Sequence, residues 1–363
     1  MPIGVELNTR CVRLLQLRRD GGKLSVIDGA SMPIEVGDEG LSSQAYSHEM
    51  RKAMRAMLSE HRFRGRHCLV SIDESLVRVR SVRQPRMPDD EMNQAVCIEA
   101  PDRLGVDPSM PMQVDWLRAG EVRHGDEIRE EVLLVGCERS PLEKLVDELI
   151  SCGISPMSVE PSFVAIGRTF SRMYQRASDR ATVRMVLHVG NRSTRVLVLA
   201  GPDVVFYKRI EVGGAEFSEI AAERMGLDLE TIESLRRQRM IAQLNPDVQR
   251  PEEKVDRAIY TSVRPHLSML AEEISRCARY FAVTFCSPRP SLAIVVGEHA
   301  AEPGLVQIVS DAIGLDTSIG QPFDNIAMPS PCPVALQHIT TSWAAPIGLC
   351  LRGRRQVKRR RAA

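Results

Sequence analysis

A β-hairpin pattern that occurs twice, at an offset of 182 residues, is the feature that most restricts what this chain can fold into. Near the N-terminus, residues 3–7 and 11–18 read as two apolar strands joined by a short polar turn. Residues 183–189 and 194–200 repeat this arrangement, and in both places a further turn leads to a third strand. A three-stranded meander in each half of one chain predicts two related domains that face each other.

Matching the two copies at this offset aligns polar as well as apolar positions. The aligned pairs are Glu6 with His188, Asn8 with Gly190, Arg10 with Arg192, Arg13 with Arg195, Leu15 with Leu197 and Leu17 with Leu199. A chance match of two short hairpins is the alternative, because apolar strands resemble one another.

Length and composition exclude several classes of protein. The chain has 363 residues, which fits two or three domains, and its 43% apolar content is enough for sizeable cores. No window approaches the roughly 18 to 20 uninterrupted apolar residues of a membrane span. The first residues lack the basic region and apolar stretch of a secretory signal. We therefore expect a cytoplasmic protein.

The net charge of +1 hides an asymmetry between the body of the chain and its end. Residues 352–363 hold seven basic side chains and no acid, which leaves 41 basic against 47 acidic residues, a net charge of −6, in the rest. A nucleic-acid-binding domain normally has the opposite sign on its folded part. The tail is expected to be solvated and disordered, with contact to anionic lipid, RNA or an acidic partner as the alternative.

The cysteines do not predict a disulfide framework or a zinc ribbon. They number nine, an odd count, and form no Cys-x-x-Cys pair. Most lie in apolar runs, which is typical of buried cysteines that behave as small hydrophobic residues. His61, His67 and Cys68 are close in sequence, but without a second ligand pair they do not predict a metal site.

Residues 84–156 differ in character from the segments on either side. Pro88 is expected to start a helix, and 112–116 and 131–135 read as strands separated by a charged loop at 118–130. A helix follows. This order predicts a small α+β subdomain inserted into the first half.

Other helices are predicted from apolar spacing and from capping residues. Apolar residues at 50–58 follow helical spacing, and a capping box at 140–143 predicts a helix that ends at Gly153. Pro265 is expected to kink or start a long helix whose apolar face covers 267–281, because proline cannot donate a hydrogen bond to the preceding turn.

Short motifs then occur in one order along about 350 residues. The first half contains Ile3-Gly4-Val5-Glu6-Leu7, Val12-Arg13-Leu14-Leu15, the run 85–92 with Ile98-Glu99-Ala100, and Val159-Glu160-Pro161-Ser162. The second half contains Val189-Gly190, Gly213-Gly214, Met225-Gly226-Leu227, Glu273-Ile274-Ser275-Arg276, Gly297, Pro303-Gly304-Leu305, Pro322-Phe323 and Ala345-Pro346-Ile347-Gly348-Leu349. Each motif alone is weak. In this order they resemble the PilM family, the actin-like cytoplasmic component of type IV pilus assembly, related to the division protein FtsA.

The resemblance implies an actin-like α/β fold, that is, a duplicated ribonuclease H-like architecture of two lobes with an inserted α+β subdomain. The expected boundaries are a first lobe at 1–83 completed by 157–180 and a C-terminal helix at 340–352, the inserted subdomain at 84–156, a second lobe at 181–339, and a basic tail at 353–363.

The resemblance also implies a cleft for ATP and Mg²⁺ built from the two hairpins and from glycine turns. The candidate nucleotide-binding residues are Gly4, Glu6, Asn8, Thr9, Arg10, His188, Gly190, Asn191, Arg192, Gly213, Gly214, Gly297 and Glu298. Glu6 is the candidate metal ligand.

This sequence departs from the family pattern where magnesium and phosphate would be held. Glu6 and His188 stand where the family has aspartates, and neutral imidazole is a poor ligand for Mg²⁺ while imidazolium repels it. Asn8 replaces a glycine, although phosphate loops favour glycine because their backbone must approach closely. Glu298 replaces the second glycine of a pair, and a carboxylate about 4 Å from a phosphate costs roughly 4 kcal/mol at an effective dielectric of about 20. We therefore predict a degenerate site, no firmly bound cofactor and no catalytic residue.

The predicted function is that of a scaffold or adaptor at the inner face of the inner membrane, in a type IV pilus or related secretion machine. Its expected partner is the cytoplasmic N-terminal peptide of a PilN-like inner-membrane protein. Self-association is left open, nucleic acid is not expected, and membrane contact is indirect or through the basic tail. Two alternatives remain: a working ATPase in which Glu6 binds Mg²⁺, and an FtsA-like division protein anchored by its C-terminus, whose residues after Gly353 include only Val357 as a large apolar side chain.

Overall fold

The computed structural model describes residues 1–34, 43–72, 75–107, 109–124, 127–172 and 182–352. Their contacts divide the chain into two units. Unit 1 comprises Met1–Arg172, Phe323–Gln337 and Ala345–Ala363, and unit 2 comprises Met173–Pro322 and His338–Ala344.

Strands and helices are interspersed along the described chain. The strands are β1 (Ile3–Leu7), β2 (Cys11–Asp20), β3 (Lys23–Pro33), β4 (His67–Ile72), β5 (Arg78–Gln84), β6 (Met112–His124), β7 (Glu127–Glu138), β8 (Ser155–Pro161), β9 (Val183–Val189), β10 (Thr194–Ala200), β11 (Asp203–Ile210), β12 (Leu292–Val296), β13 (Asp316–Ile319) and β14 (Ile326–Ala327). The helices are α1 (Gln44–Glu60), α2 (Asp89–Leu104), α3 (Arg139–Ser151), α4 (Ser162–Ser171), α5 (Gly214–Met225), α6 (Leu229–Leu244), α7 (Glu253–Thr284), α8 (Leu305–Ile313) and α9 (Ala344–Leu351).

The hairpin repeat predicted from the sequence is confirmed as a repeat of sheet topology. In unit 1, β3, β2, β1, β4 and β8 are neighbours in that order, and β14 adds to the edge of β3. In unit 2, β11, β10, β9, β12 and β13 follow the same order. In both sheets the first three strands are antiparallel, and the last two join in parallel.

The register of the two hairpins is also the same. Glu6 lies opposite Arg13 on β1 and β2, and His188 lies opposite Arg195 on β9 and β10. An offset of 182 residues therefore matches both members of each cross-strand pair. Because a one-residue slip would move every side chain to the other face of the sheet, the match fixes equivalent faces as well as equivalent strands.

Unit 1 contains a further sheet of three strands, of which β6 and β7 lie within residues 84–156 and β5 (Arg78–Gln84) precedes them in sequence. Its order is β5, β7, β6, and one face packs on α2 through a cluster that includes Val82, Met92, Val132 and Leu134. The expected charged loop at 118–130 is wrong, because β6 and β7 continue through it as a long hairpin. Charged side chains are compatible with such a strand pair where its faces reach solvent.

The helix predictions are partly confirmed. Ser43 caps α1 by accepting a hydrogen bond from the amide of Tyr46 at 3.0 Å, and the apolar stripe of α1 is buried as expected. The capping box is wrong: α3 begins at Arg139, so Ser140 is already inside the helix and Glu138 precedes it without a side-chain cap. Pro265 does not start a helix, since it lies within α7, which begins at Glu253.

Candidate functional site

The turn of the first hairpin is closed by its own asparagine. Oδ1 of Asn8 accepts hydrogen bonds from the backbone amides of Arg10 and Cys11, at 2.9 and 2.8 Å. The amide of Asn8 donates to the carbonyl oxygen of Cys11 at 3.2 Å. A phosphate loop works by pointing such amides at its ligand, and here two of them are directed at a side chain of the turn itself. Thr9 and Arg10 lie at the tip of this turn.

The candidate metal ligand faces an arginine. Glu6 is 4% exposed, and its Oε2 accepts a hydrogen bond from Nη1 of Arg13 at 2.9 Å. The guanidinium places positive charge beside the carboxylate and joins it in a charge-assisted hydrogen bond. Among the residues that the structure describes, no group of three His, Cys, Asp or Glu side chains is placed to hold a metal ion.

The second hairpin carries a related pair made from different groups. Nη1 of Arg195 lies 3.0 Å from Nδ1 of His188, and both residues are buried. Since a guanidinium only donates, Nδ1 accepts, and the ring proton is assigned to Nε2. The arrangement therefore holds His188 as a neutral imidazole.

Gly4 is near the first hairpin but is explained by packing. A Cβ at this position would come within 2.6 Å of the carbonyl oxygen of Pro346 and 3.1 Å of Sγ of Cys350, so β1 and α9 meet there at close range. Desolvation raises the pKa of the Cys350 thiol to about 12, and the group is neutral at physiological pH. Gly4 thus lets α9 approach the sheet.

The tip of the second hairpin and the start of α5 are brought together. The amide of Gly214 donates to the carbonyl oxygen of Gly190 at 3.0 Å, and that of Ala215 donates to the carbonyl oxygen of Asn191 at 2.8 Å. These are the first two amides of α5, which are normally free to bind an anion at a helix N-terminus. A side chain on Gly213 would overlap the backbone of Asn191. Arg192 is exposed at the same tip.

The loop after β12 joins the same cluster. Gly297 has a φ of +105°, which favours glycine, and a Cβ there would overlap the backbone of Val189. Its amide donates to the carbonyl oxygen of Thr341 at 3.1 Å, and its own carbonyl oxygen accepts from Oγ1 of Thr341 at 2.7 Å. The imidazole of His299 lies directly against Gly214 and would overlap any side chain there. Glu298, next to Gly297, is half-buried.

A buried ion network beneath this cluster was not predicted from the sequence. Glu302 accepts hydrogen bonds from Arg236 at 2.7 Å and from Arg239 at 2.9 Å, and each of the three side chains is 1% exposed. Arg236 also donates to the carbonyl oxygen of Gly214 at 2.7 Å, and Arg239 is paired with Asp256. The network ties α6 and α7 to the start of α5. No periodic signal marks it, because the two arginines sit in a helix rich in charged residues.

A groove of about 380 Å³ lies elsewhere, within unit 1. Residues of β6, β7, α3 and β8 line it, and the lining is largely apolar, including Leu117, Val135, Leu142, Val146 and Val159. Burial raises the pKa of the Cys137 thiol to about 11, so this lining group is also neutral. Among the described strands, β6 pairs only with β7 and β8 only with β4, so each presents one edge.

One end of the groove is polar. Glu160 lines it and is held by two arginines, with contacts of 2.6 Å to Arg168 and 2.8 Å to Arg352. Arg352 also donates to Oγ of Ser158 at 2.6 Å. These pairs fix β8, α4 and the end of α9 to one another. The sequence alone did not identify the groove, because its walls come from distant segments.

Comparison with known proteins decides the family. The model for "Type IV pilus assembly protein PilM" matches residues 4–354. The chain belongs to the PilM family. A solved structure described as a PilM-PilN type IV pilus biogenesis complex is similar with a TM-score of 0.78 and 22% identity, over 97% of this chain and 98% of that one.

A second structure supports the fold of this PilM-family protein. The ethanolamine utilization protein EutJ from Carboxydothermus hydrogenoformans is similar with a TM-score of 0.54 and 12% identity, over 97% of this chain and 89% of that one. Together with the duplicated sheets, these likenesses confirm the actin-like α/β fold. None of the helices in the described ranges has the length and apolar character that a bilayer span requires.

Proposed function

We propose that this PilM-family protein is an adaptor of a type IV pilus assembly machine, and that it binds an extended N-terminal peptide of a PilN-type partner in the groove of unit 1. The single observation that carries the proposal is the groove itself, an apolar cavity of about 380 Å³ next to two strand edges. A similar structure is described as a complex with PilN, which names the partner class.

The groove has the chemistry of a peptide site. An extended peptide binds a strand edge through main-chain hydrogen bonds, and its alternate side chains enter pockets on one face. The exposed edge of β6 supplies the first element, and apolar residues such as Val135, Leu142 and Val146 supply the second. Such a peptide would attach the adaptor to a partner in the inner membrane, and this supports a position at the cytoplasmic face.

We infer further that the protein works without hydrolysing ATP. Contacts within each hairpin support this inference: the Glu6 carboxylate accepts a hydrogen bond from Arg13, and His188 accepts one from Arg195. Amides of the first turn and of the start of α5 donate to protein oxygens. Binding a phosphate there would require these hydrogen bonds to be broken first, at roughly 1 kcal/mol or more each.

Peptide binding is tested by fluorescence anisotropy with a labelled peptide that carries the N-terminal residues of the PilN homologue from the same genome. Val146→Arg places a charge in the apolar groove, and we expect the Kd to rise at least tenfold. Ile150→Arg is the matched control, because it is on the same helix, is 54% exposed and does not line the groove. Wild-type affinity in Val146→Arg, or no binding by the wild type, would contradict the proposal.

The nucleotide question needs a separate experiment. Titration calorimetry with Mg-ATP is expected to give no heat of binding at concentrations up to about 1 mM, which corresponds to a free energy weaker than about 4 kcal/mol. Micromolar affinity that is lost in Glu6→Ala would instead establish the working ATPase with Glu6 as its metal ligand.

A further inference from the structure

Four exposed arginines of unit 1 come from α1 and from the loop that follows it. We call them the arginine surface: Arg55 on α1, and Arg62, Arg64 and Arg66 in the loop before β4. Residues 55–66 contain these four arginines and one acid, Glu60, which gives a net charge of +3. None of the four lines the groove, so the arginine surface is a separate feature of unit 1.

Hydrogen bonds to its backbone hold the loop in place. The amide of Arg62 donates to Oδ2 of Asp28 on β3 at 2.7 Å. The side-chain amide of Gln16 on β2 binds Arg64 twice, accepting from its amide and donating to its carbonyl oxygen, each at 2.7 Å. Phe63 packs against the core of unit 1, and the arginines on either side of it are exposed. Two guanidinium groups are therefore presented on the outer side of a chain that is already ordered, which lowers the entropy cost of binding.

The other two arginines lie near the C-terminal end of α3. The carbonyl oxygen of Arg66 accepts a hydrogen bond from the amide of Ser155 at 2.7 Å, and its Nη1 lies 3.7 Å from the position that a Cβ of Gly153 would take. Burial raises the pKa of the Cys152 thiol, and the positive charge of Arg55 acts in the opposite direction, so Arg55 is close to the same helix end. The four arginines thus contribute to one positive surface.

Nearby acids do not neutralise this surface. Glu49 on α1 is paired with Lys52 at 3.7 Å, and Glu148 on α3 is paired with Lys144 at 4.0 Å. Within the ranges that the structure describes, no acidic side chain forms an ion pair with a guanidinium of the arginine surface. Its charge is therefore left for a ligand from outside the chain.

We propose that the arginine surface binds an extended acidic segment of a partner protein, with carboxylates at alternate positions. The planar guanidinium of arginine pairs with a carboxylate through two parallel hydrogen bonds. In an extended chain alternate side chains lie on one side and repeat about every 6.5 Å. Arg62 and Arg64 are themselves alternate residues on either side of Phe63, so acids with this spacing match them.

Two other polyanions fit the arginine surface less well. A phospholipid surface attracts lysine as well as arginine, because it has no fixed geometry to match, and all four residues here are arginine. Single-stranded nucleic acid needs aromatic side chains for base stacking, and the aromatic residue of the loop packs on the core instead. The net charge of −6 on residues 1–351 also opposes the approach of a long polyanion.

The experiment is fluorescence anisotropy with the full-length protein, at about 50 mM salt and without any groove peptide. The probe is a labelled peptide in which four glutamates alternate with serines, and the comparison peptide has the same composition with its glutamates in one block. The glutamine variant is Arg62→Gln, Arg64→Gln, Arg66→Gln, and the lysine variant changes the same three residues to lysine. These substitutions alter exposed side chains and leave the backbone hydrogen bonds of the loop in place. The control, with exposed arginines of unit 2, is Arg224→Gln, Arg237→Gln, Arg257→Gln.

We expect the wild type and the control to bind the alternating peptide with a Kd below about 1 mM. The glutamine variant should bind it at least about tenfold more weakly, because three charge-assisted pairs are lost. The lysine variant should bind it at least about threefold more weakly, because lysine keeps the charge and loses the bidentate geometry. The block peptide should bind the wild type more weakly than the alternating one.

Several results would overturn the proposal. They are absence of binding by the wild type, equal binding by the glutamine variant and the control, and wild-type affinity in the lysine variant. Vesicles of phosphatidylglycerol and a short single-stranded RNA are tested in parallel. If either binds the wild type and not the glutamine variant while the acidic peptide does not bind, the surface recognises lipid or nucleic acid instead. Because no groove peptide is present, none of these results depends on the proposed groove.

Discussion

Arg195 donates a hydrogen bond to Nδ1 of His188 across the second hairpin, at 3.0 Å. The equivalent cross-strand pair in the first hairpin joins Arg13 to the carboxylate of Glu6 at 2.9 Å. The two hairpins therefore carry an arginine at equivalent positions and differ in the residue that it contacts. One pair is charged and the other joins a cation to a neutral ring, and both are buried.

This difference predicts unequal effects when the arginine is removed. Arg13→Met takes the described ion-pair partner from a buried carboxylate, and we expect a loss of about 3 kcal/mol in the free energy of unfolding. Arg195→Met takes a hydrogen-bond donor from a neutral imidazole, and the expected loss is about 1 kcal/mol. Urea denaturation followed by circular dichroism measures both. Equal losses of unfolding free energy in the two variants would mean that the charge of Glu6 does not determine how much stability is lost.

The buried network of unit 2 predicts a large effect from a small change. Glu302→Gln removes the carboxylate shared by Arg236 and Arg239 and keeps its shape. We expect a loss of at least 3 kcal/mol in unfolding free energy, because two buried guanidinium groups lose a charged partner.

The control for this prediction is an exposed ion pair of the same unit. Glu273 pairs with Arg276 on α7 at 2.7 Å, with side chains 43% and 61% exposed. Glu273→Gln is expected to cost less than about 0.5 kcal/mol. A similar loss of unfolding free energy in Glu302→Gln and Glu273→Gln would show that burial of the ion pair does not determine the loss.

Alanine substitutions at two glycines are expected to differ in whether a second substitution restores the lost stability. Gly214→Ala places a methyl group in the space of the His299 ring, and Gly348→Ala places one in the space of the Ala165 carbonyl oxygen. We expect both to destabilise the fold by more than 1 kcal/mol in thermal unfolding, because close packing tolerates little overlap. His299→Ala should restore part of the loss at Gly214. A side-chain change at Thr169, the other neighbour of Gly348, should not restore the loss there, since the obstacle is backbone.

Sequence reasoning recovered the duplicated fold because the hairpin signal is local. Strand alternation and turn residues depend on neighbours in the chain, so each hairpin can be identified by itself. Matching the two hairpins then gives the offset between Glu6 and His188, and the structure reproduces this match in register. The long hairpin of β6 and β7 was missed because its charged residues mimic a loop. The boundary of α3 was misplaced because a Ser-Pro sequence also fits the interior of a first turn.

The parts of the site that were missed depend on distant segments. The groove joins β6, β8 and α3, and the partner of Arg236 is 66 residues away in sequence. The neighbour of Gly214 is His299, on a loop that follows another strand. Burial and pairing of this kind arise only after the sheets assemble, so no periodicity along one segment reports them.

Buried thiols predict a loss of stability at alkaline pH. Desolvation raises the pKa of Cys68, on β4, from 9.0 to about 12. Between these values the folded thiol keeps a proton that the unfolded chain has released, so the free energy of unfolding falls as the pH rises. From pH 8 to pH 10 this group alone should account for a fall of about 1.4 kcal/mol. Cys68→Ala should therefore lose less stability over this range than the wild type in urea denaturation, whereas Cys97→Ala, at an exposed position, should follow the wild type. Parallel curves for the wild type and Cys68→Ala would refute the role of this buried thiol.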